Sequence, residues 1–167
     1  VILEETLQVF QKWYFNKTKI EEFLNNIVQS VVQDENYENV HAVFKDIIFL
    51  DMQEKGKSQT NLVQMLQNLV KEKYNCDINV QPQVSADNKR YIYIDDGLFT
   101  GSRLIKDLTR CVELASECTK IDIWYLISCE SGKSYSESQA ASKVKAKNLN
   151  IKIHVINEIH NNKTIEN

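Results

Sequence analysis

The sequence predicts an α/β fold: a parallel-sheet core over residues 45–157, a helical extension over residues 1–44, and a polar tail over residues 158–167. Three observations predict it. Short apolar runs alternate with segments of helical spacing from residue 45 onward, and such alternation builds a parallel sheet with helices on both faces. The segment before residue 45 carries helical spacing alone. The four glycines, Gly56, Gly97, Gly101 and Gly132, all fall in predicted strand-to-helix loops. Ligands of such sheets bind at the carboxyl ends of the strands. The glycines therefore mark that edge as one built to bring backbone close to a ligand, with tight turning as the alternative reading.

The elements follow in order. Leu3, Leu7 and Phe10, then Trp13 and Tyr14, give a first helical stretch. Asn16–Lys19 reads as a break, with Thr18 as N-cap and Glu21 at its third position. Ile20, Phe23, Leu24, Ile27, Val28, Val31 and Val32 form one apolar stripe, and a third helix is expected from Tyr37 to Phe44. Ile47–Leu50 is a strand, Asp51–Ser58 a loop, and Leu62, Val63, Leu66, Leu69 and Val70 one face of a helix. Asp77–Gln81 is a weaker strand and Pro82–Lys89 a polar loop. Tyr91–Ile94 is an aromatic and β-branched strand, followed by a loop, Asp95–Gly101. Leu104, Leu108, Cys111, Val112 and Ala115 share the next helical face. Ile121–Ser128 is the strongest strand, Cys129–Ser134 a loop, then a helix to about Lys147 and a last strand, Ile151–Ile156. The end, Asn157–Asn167, is polar and expected to fray.

Composition narrows the function classes. The chain has 167 residues, 43% hydrophobic and 26% charged, which fits one globular domain and excludes a disordered or fibrous chain. A net charge of −3 gives no global basic field to attract nucleic acid. The longest apolar runs, such as Ile47–Leu50 and Ile92–Ile94, are too short to cross a membrane. The chain starts at Val1 with no signal-peptide layout and reads as a piece of a longer protein. Cys76, Cys111, Cys118 and Cys129 form no CxxC pair, so the expectation is reduced, mostly buried thiols in a cytoplasmic protein. His41, His154 and His160 have no ligand partner nearby in the sequence, and His154 reads as a packed strand residue.

The chemistry concentrates in Arg90-Tyr-Ile-Tyr-Ile-Asp-Asp-Gly-Leu-Phe-Thr-Gly-Ser-Arg103. A buried strand leads into two adjacent carboxylates, Asp95 and Asp96. They suit vicinal sugar hydroxyls or water-mediated Mg²⁺. Four residues after Asp96, Thr100-Gly101-Ser102 opens a helix, offering backbone N–H groups, hydroxyls and the positive end of a helix dipole: a phosphate cradle. Carboxylates and cradle together describe a ribose 5-phosphate. Gly97, Phe99 and Arg103 lie in the same candidate loop.

This stretch resembles the phosphoribosyl-pyrophosphate (PRPP) motif of type I phosphoribosyltransferases. The resemblance implies Asp95 and Asp96 on the ribose hydroxyls and Thr100, Gly101 and Ser102 on the 5-phosphate. It implies a pyrophosphate loop at Lys55-Gly56-Lys57-Ser58, a flexible lid at Pro82–Lys89, and Mg²⁺ held on the pyrophosphate. Two positions depart from the motif: Arg103 replaces its final hydroxyl, and Phe99 stands where purine-salvage members carry a base-contacting Asp. With Trp13 near the start and the helix Ile20–Val32 before the core, the arrangement looks like the divergent phosphoribosyltransferase-like domains of bacterial conflict systems, some tied to retron loci.

Rival motifs fail on single residues. Lys55-Gly-Lys-Ser58 and Ser131-Gly-Lys-Ser134 invite a Walker A reading, but Asp51 and Ile127 stand where that motif needs glycine. Gly132–Ser134 then reads as a solvated basic turn, while Gly56–Ser58 stays open between that and a phosphate loop. Asp95-Asp-Gly lacks the first Asp of a dehalogenase-type phosphatase, since Ile94 stands there. The solvated-turn alternative for the acid pair is that Asp forms turns. Lys57, Lys89, Arg90 and Arg103 are the candidate cations, Arg90 being also readable as a strand-end charge, and no residue reads as a base for an acceptor. Two functions follow: a transferase acting on PRPP or a related ribosyl phosphate, or a non-catalytic ribose-phosphate sensor or effector. The second would be coupled to protein partners or further domains through its N-terminal helices, and a third option is a helix-mediated scaffold with no ligand.

Overall fold

The computed structural model describes residues 15–33, 38–53, 58–86, 89–117 and 119–159. The first predicted helical stretch, Leu3–Tyr14, lies outside them, as do Lys55, Gly56, Lys57, Cys118 and His160.

Helix α1 spans Lys17–Val32 and α2 Val40–Asp46. The α1 N-cap is Asn16 rather than Thr18: its Oδ1 accepts the Lys19 N–H at 3.0 Å. Asn39 caps α2 in the same way, through the Ala42 N–H. Strand β1, Ile48–Leu50, leads to α3, Ser58–Tyr74, and β2, Asn79–Gln81. Then come β3, Arg90–Leu98; α4, Ser102–Leu114; β4, Lys120–Cys129; α5, Glu130–Lys147; and β5, Asn150–Ile159.

All five strands are parallel, in the order β2-β1-β3-β4-β5. The predicted α/β class therefore holds. Three boundaries differ from expectation. Strand β3 runs on to Leu98, so the acid pair lies inside a strand and not after one. Strand β4 passes straight into α5, which absorbs the loop expected at Cys129–Ser134. Strand β5 reaches Ile159, because Asn157–Ile159 pair with β4 and the Asn157 amide donates to the Leu126 carbonyl at 3.0 Å.

Each sheet face carries its own core. On one, Phe23, Leu24, Ile27, Val28 and Val31 of α1 pack with Val43 and Phe44 of α2, Leu62 and Leu66 of α3, and Phe49, Ile92, Ile94 and Trp124 of the sheet. Burying the five α1 side chains contributes on the order of 10 kcal/mol before entropy is charged. The apolar stripe of α1 is thus spent inside the molecule. On the other face, Leu104, Leu108 and Cys111 of α4 and Ala140 of α5 cover Leu50, Tyr91, Tyr93, Ile123 and Tyr125. Strands buried on both faces account for the continuous apolar runs of β3 and β4. Among the described residues, no helix is long and apolar enough to cross a membrane.

The chain reverses direction across the sheet between β1 and β3. Helix α3 carries it from β1 outward to β2, while α4 and α5 carry it the other way. The loops leaving β1 and β3 diverge there and open a crevice at their carboxyl ends.

Candidate functional site

That crevice holds the sequence motif. Strand alternation sends neighbouring side chains to opposite faces. Asp95 accordingly turns inward and is 4% exposed, while Asp96 is exposed. Asp95 Oδ1 accepts from the Asp96 N–H at 2.9 Å and from the Ser58 hydroxyl at 3.3 Å. Ser58 opens α3, so the loop after β1 and the acid pair of β3 meet in one site. Burial pushes the Asp95 carboxyl up to about 6; the Asp96 N–H opposes that rise and the Asp96 charge adds to it.

The 98–102 loop is set by glycines. Gly101 lies in the left-handed region at φ 74° and precedes α4 with no side-chain cap. Its carbonyl accepts the Ile105 N–H at 3.0 Å. Thr100 and Ser102 are exposed beside it, and the Ser102 N–H reaches Thr100 Oγ1 at 3.4 Å. A helix start whose cap residue has no side chain, flanked by two hydroxyls, offers donors to an anion. Gly132 serves this loop from behind: a Cβ there would sit 2.7 Å from the Phe99 carbonyl carbon. Its role is packing α5 against the loop, not approach to a ligand. Phe99 is 54% exposed, and its ring folds over Gly97, where a Cβ would come 2.5 Å from Cε2.

Beside the α4 start lies an open cleft of about 550 Å³, lined by Met52 and Gln53 after β1 and by Ser102, Arg103, Lys106, Asp107 and Arg110 of α4. Asp107 is buried and accepts from the Tyr93 hydroxyl at 3.0 Å. Burial raises its carboxyl above the ordinary range, against the Tyr93 hydrogen bond and the charges of Arg103, Arg110 and Lys106. One carboxylate among three cations leaves the cleft cationic.

The candidate cations separate. Arg103 lines the cleft. Arg90 begins β3, five residues before Asp95, or about 16 Å along a strand. Its Nε donates to Asp122 at 2.7 Å, so it is a strand-end charge at the far edge of the sheet, with Lys89 just before it. Lys133 pairs with Glu158 at 2.8 Å, which raises its ammonium pKa through that hydrogen bond and fastens α5 to β5. The stretch expected as a flexible lid is anchored in its described part. Val84 is buried in the core, and Ser85 exchanges hydrogen bonds with the Tyr91 hydroxyl through its N–H, hydroxyl and carbonyl.

Two site residues escape a reading of the sequence. Gln59 is fully buried; its Oε1 accepts the Met52 and Gln53 N–H groups at 2.7 and 3.1 Å, and its Nε2 donates to the Ile94 carbonyl at 3.0 Å. It pins the loop after β1 to the strand that carries the acids. The available signal was a polar residue on the apolar stripe of Leu62, Val63, Leu66 and Val70. Gln53 is the other: its buried Nε2 has no hydrogen-bond partner among the described residues, a donor held at the cleft wall.

A five-stranded parallel sheet in this order, flanked by helices, matches the fold of type I phosphoribosyltransferases. The chain is similar to the AQ2163 protein from Aquifex aeolicus, at 14% identity over 89% of this chain and 88% of that one, with a TM-score of 0.53. It is similar also to hypoxanthine-guanine phosphoribosyltransferase from Schistosoma mansoni, solved in complex with IMP, at 17% identity over 87% of this chain and 62% of that one, with a TM-score of 0.51. No curated protein matches the sequence. The PRTase-CE family matches residues 1–167, and the chain belongs to that family.

Proposed function

We propose that the protein binds PRPP or a related ribose 5-phosphate at the carboxyl edge of β1 and β3. The observation that carries this reading is the Ser58–Asp95 hydrogen bond beside the uncapped start of α4. It supports the reading because Ser58 would belong to the phosphate loop and Asp95 would hold the sugar. Asp96 and Asp95 would hold the ribose hydroxyls, and Thr100, Gly101, Ser102 and Arg103 the 5-phosphate. Lys55, Gly56, Lys57 and Ser58 would face the pyrophosphate.

The donor set fits Mg²⁺. Among the described residues no group of three or more His, Cys, Asp or Glu could hold a metal by itself. Magnesium, however, is usually held by one or two carboxylates, substrate phosphates and water. Asp95 and Asp96 would supply the carboxylates, and the ion would neutralise charge on the pyrophosphate. The chain's own part would be to fix the ribose with Asp96, hold Asp95 through Ser58, pin the loop after β1 through Gln59, and anchor the phosphate on backbone donors. Transfer of the phosphoribosyl group with release of pyrophosphate is the matching glycosyltransferase activity.

The anchored Val84–Ser85 stretch favours a second reading. A stretch pinned to Tyr91 at Ser85 is held against opening there, and among the described residues no side chain stands out as a base for an acceptor. Under that reading the same pocket serves a ribose-phosphate sensor or effector of a bacterial anti-phage defence system, such as a retron-linked one. Titration calorimetry with PRPP, with and without Mg²⁺, followed by a pyrophosphate-release assay, separates the two. Binding with release supports the transferase, and binding without release supports the sensor. Asp96→Asn should weaken binding at least tenfold and leave thermal stability unchanged. Equal binding by the variant and the parent would remove the ribose role from that carboxylate.

A further inference from the structure

We propose that Cys76 and His41 form a second reactive site, an activated thiol open to modification by electrophiles and peroxides, at the amino edge of the sheet. Neither residue belongs to the ribose-phosphate crevice, so the proposal stands apart from that reading. Helix α3 ends at Tyr74, and Asn75 takes up the left-handed conformation at φ 52° with its N–H on the Lys71 carbonyl at 3.0 Å. This helix-ending turn carries the next residue, Cys76, against α2. Its Sγ lies 3.1 Å from His41 Nδ1 and 3.3 Å from the Tyr74 carbonyl oxygen. The residues are 35 apart in sequence, so tertiary packing alone makes the pair. Both line a cleft of about 430 Å³ together with Phe44, Lys45, Asn75 and Asp77. Cys76 is largely buried, and it is one of the residues that line that cleft.

The charged and titratable groups around the pair are few. Lys45 comes from α2, and Asp77 follows the turn with its carboxylate on Lys71 at 3.0 Å. Tyr74 tilts its ring against Phe44, with centroids 6.0 Å apart. The chemistry is a proton transfer followed by displacement. The thiol proton passes to His41 Nδ1, and the thiolate attacks one oxygen of a hydroperoxide. The O–O bond breaks, sulfenic acid forms on Cys76, and the leaving oxygen takes the imidazolium proton to give water or an alcohol. Cys111 shows the inert alternative. It is buried beside Met52, with Sγ 3.6 Å from the Met52 sulfur, and burial, helped by Asp107, pushes its thiol up to about 12. Because the pair ties α2 to the α3–β2 turn, its oxidation alters a contact between the helical extension and the core.

The test is alkylation of the folded protein by iodoacetamide at pH 7, read by peptide mass at each cysteine. Cys76 should label at least tenfold faster than Cys111 at pH 7. His41→Leu should slow Cys76 at least tenfold at pH 7 while Cys111 stays protected, the protection reporting that the variant is folded. Peroxide followed by dimedone should tag Cys76, and Cys76→Ser should lose that tag. A parent in which Cys76 labels no faster than Cys111 overturns the proposal without reference to any variant. So does a folded His41 variant that labels as fast as the parent.

Discussion

Replacing Asp95 by Asn should stabilise the protein at neutral pH while abolishing its ribose-phosphate binding. The carboxyl is 4% exposed and its acidity is shifted from 3.8 to about 6, chiefly by burial. A group whose folded pKa lies above its unfolded value contributes stability below the unfolded pKa and loses it as pH rises through the folded one. Each pH unit is worth about 1.4 kcal/mol, so keeping this carboxylate ionised costs about 3 kcal/mol at pH 7.5, an upper bound for the substitution. Asn retains an oxygen for the Ser58 hydroxyl and the Asp96 N–H, so the local hydrogen bonds survive. Urea denaturation at pH 4 and pH 7.5 is the assay. At pH 7.5 the variant's midpoint should rise by up to about 1.5 M, for a urea dependence of roughly 2 kcal/mol per M. At pH 4 the difference should shrink towards zero, because the parent carboxyl is then largely protonated in the folded state. A variant that is less stable at pH 7.5, or a stability gap unchanged between the two pH values, would refute the reasoning.

Two further substitutions test the scaffold of the site. Gln59→Leu leaves the Met52 and Gln53 N–H groups and the Ile94 carbonyl without their side-chain partner, and should cost roughly 3 kcal/mol in denaturant titration. Its calorimetric PRPP affinity should fall with it, because the loop after β1 loses its fastening. Gly132→Ala drives a methyl into the Phe99 carbonyl group and should cost roughly 2 kcal/mol or more, seen as a thermal midpoint lowered by several degrees.

The parts of this molecule that were legible in its sequence are those encoded locally. Strand–helix alternation, the stripe of α1, and the spacing from acid pair to Thr-Gly-Ser each lie within one short segment. What was missed depends on partners far along the chain. Asp and Gly disfavour strands, so the sequence ends β3 at Ile94. Pairing of Asp95 with Tyr125 and Gly97 with Ile127 carries it on to Leu98. That extension decides which way each carboxylate faces, a distinction no motif spacing contains. Glu130-Ser-Gly-Lys-Ser134 reads as a loop because glycine and serine weaken a helix. The helix forms nonetheless, since only glycine lets its first turn approach the Phe99 carbonyl. Arg90 sat beside the motif in sequence but at the other end of its strand in space. Ser85 seemed part of a mobile loop until the Tyr91 hydroxyl supplied its partner.

The two ends of β3 differ in how they treat a shielded carboxylate, and the difference points to where function lies. At the amino end, burial alone would raise the Asp122 carboxyl. Hydrogen bonds from His154, itself stacked 4.2 Å from Trp124, and from Arg90 outweigh burial and hold the carboxyl below its ordinary value. That carboxylate strengthens the fold at neutral pH and loses its contribution only as pH falls through the acid range. At the carboxyl end Asp95 is raised instead, with a second carboxylate as its neighbour, and Arg90 is about 16 Å too far along the strand to relieve it. Stability alone would favour Asn there, with the same hydrogen bonds and no buried charge. A carboxylate retained at a cost to the fold, where the chain reverses direction, fits the proposed ribose-phosphate site, in which it would hold hydroxyl donors and a cation carried in on phosphate, both favouring the charged form.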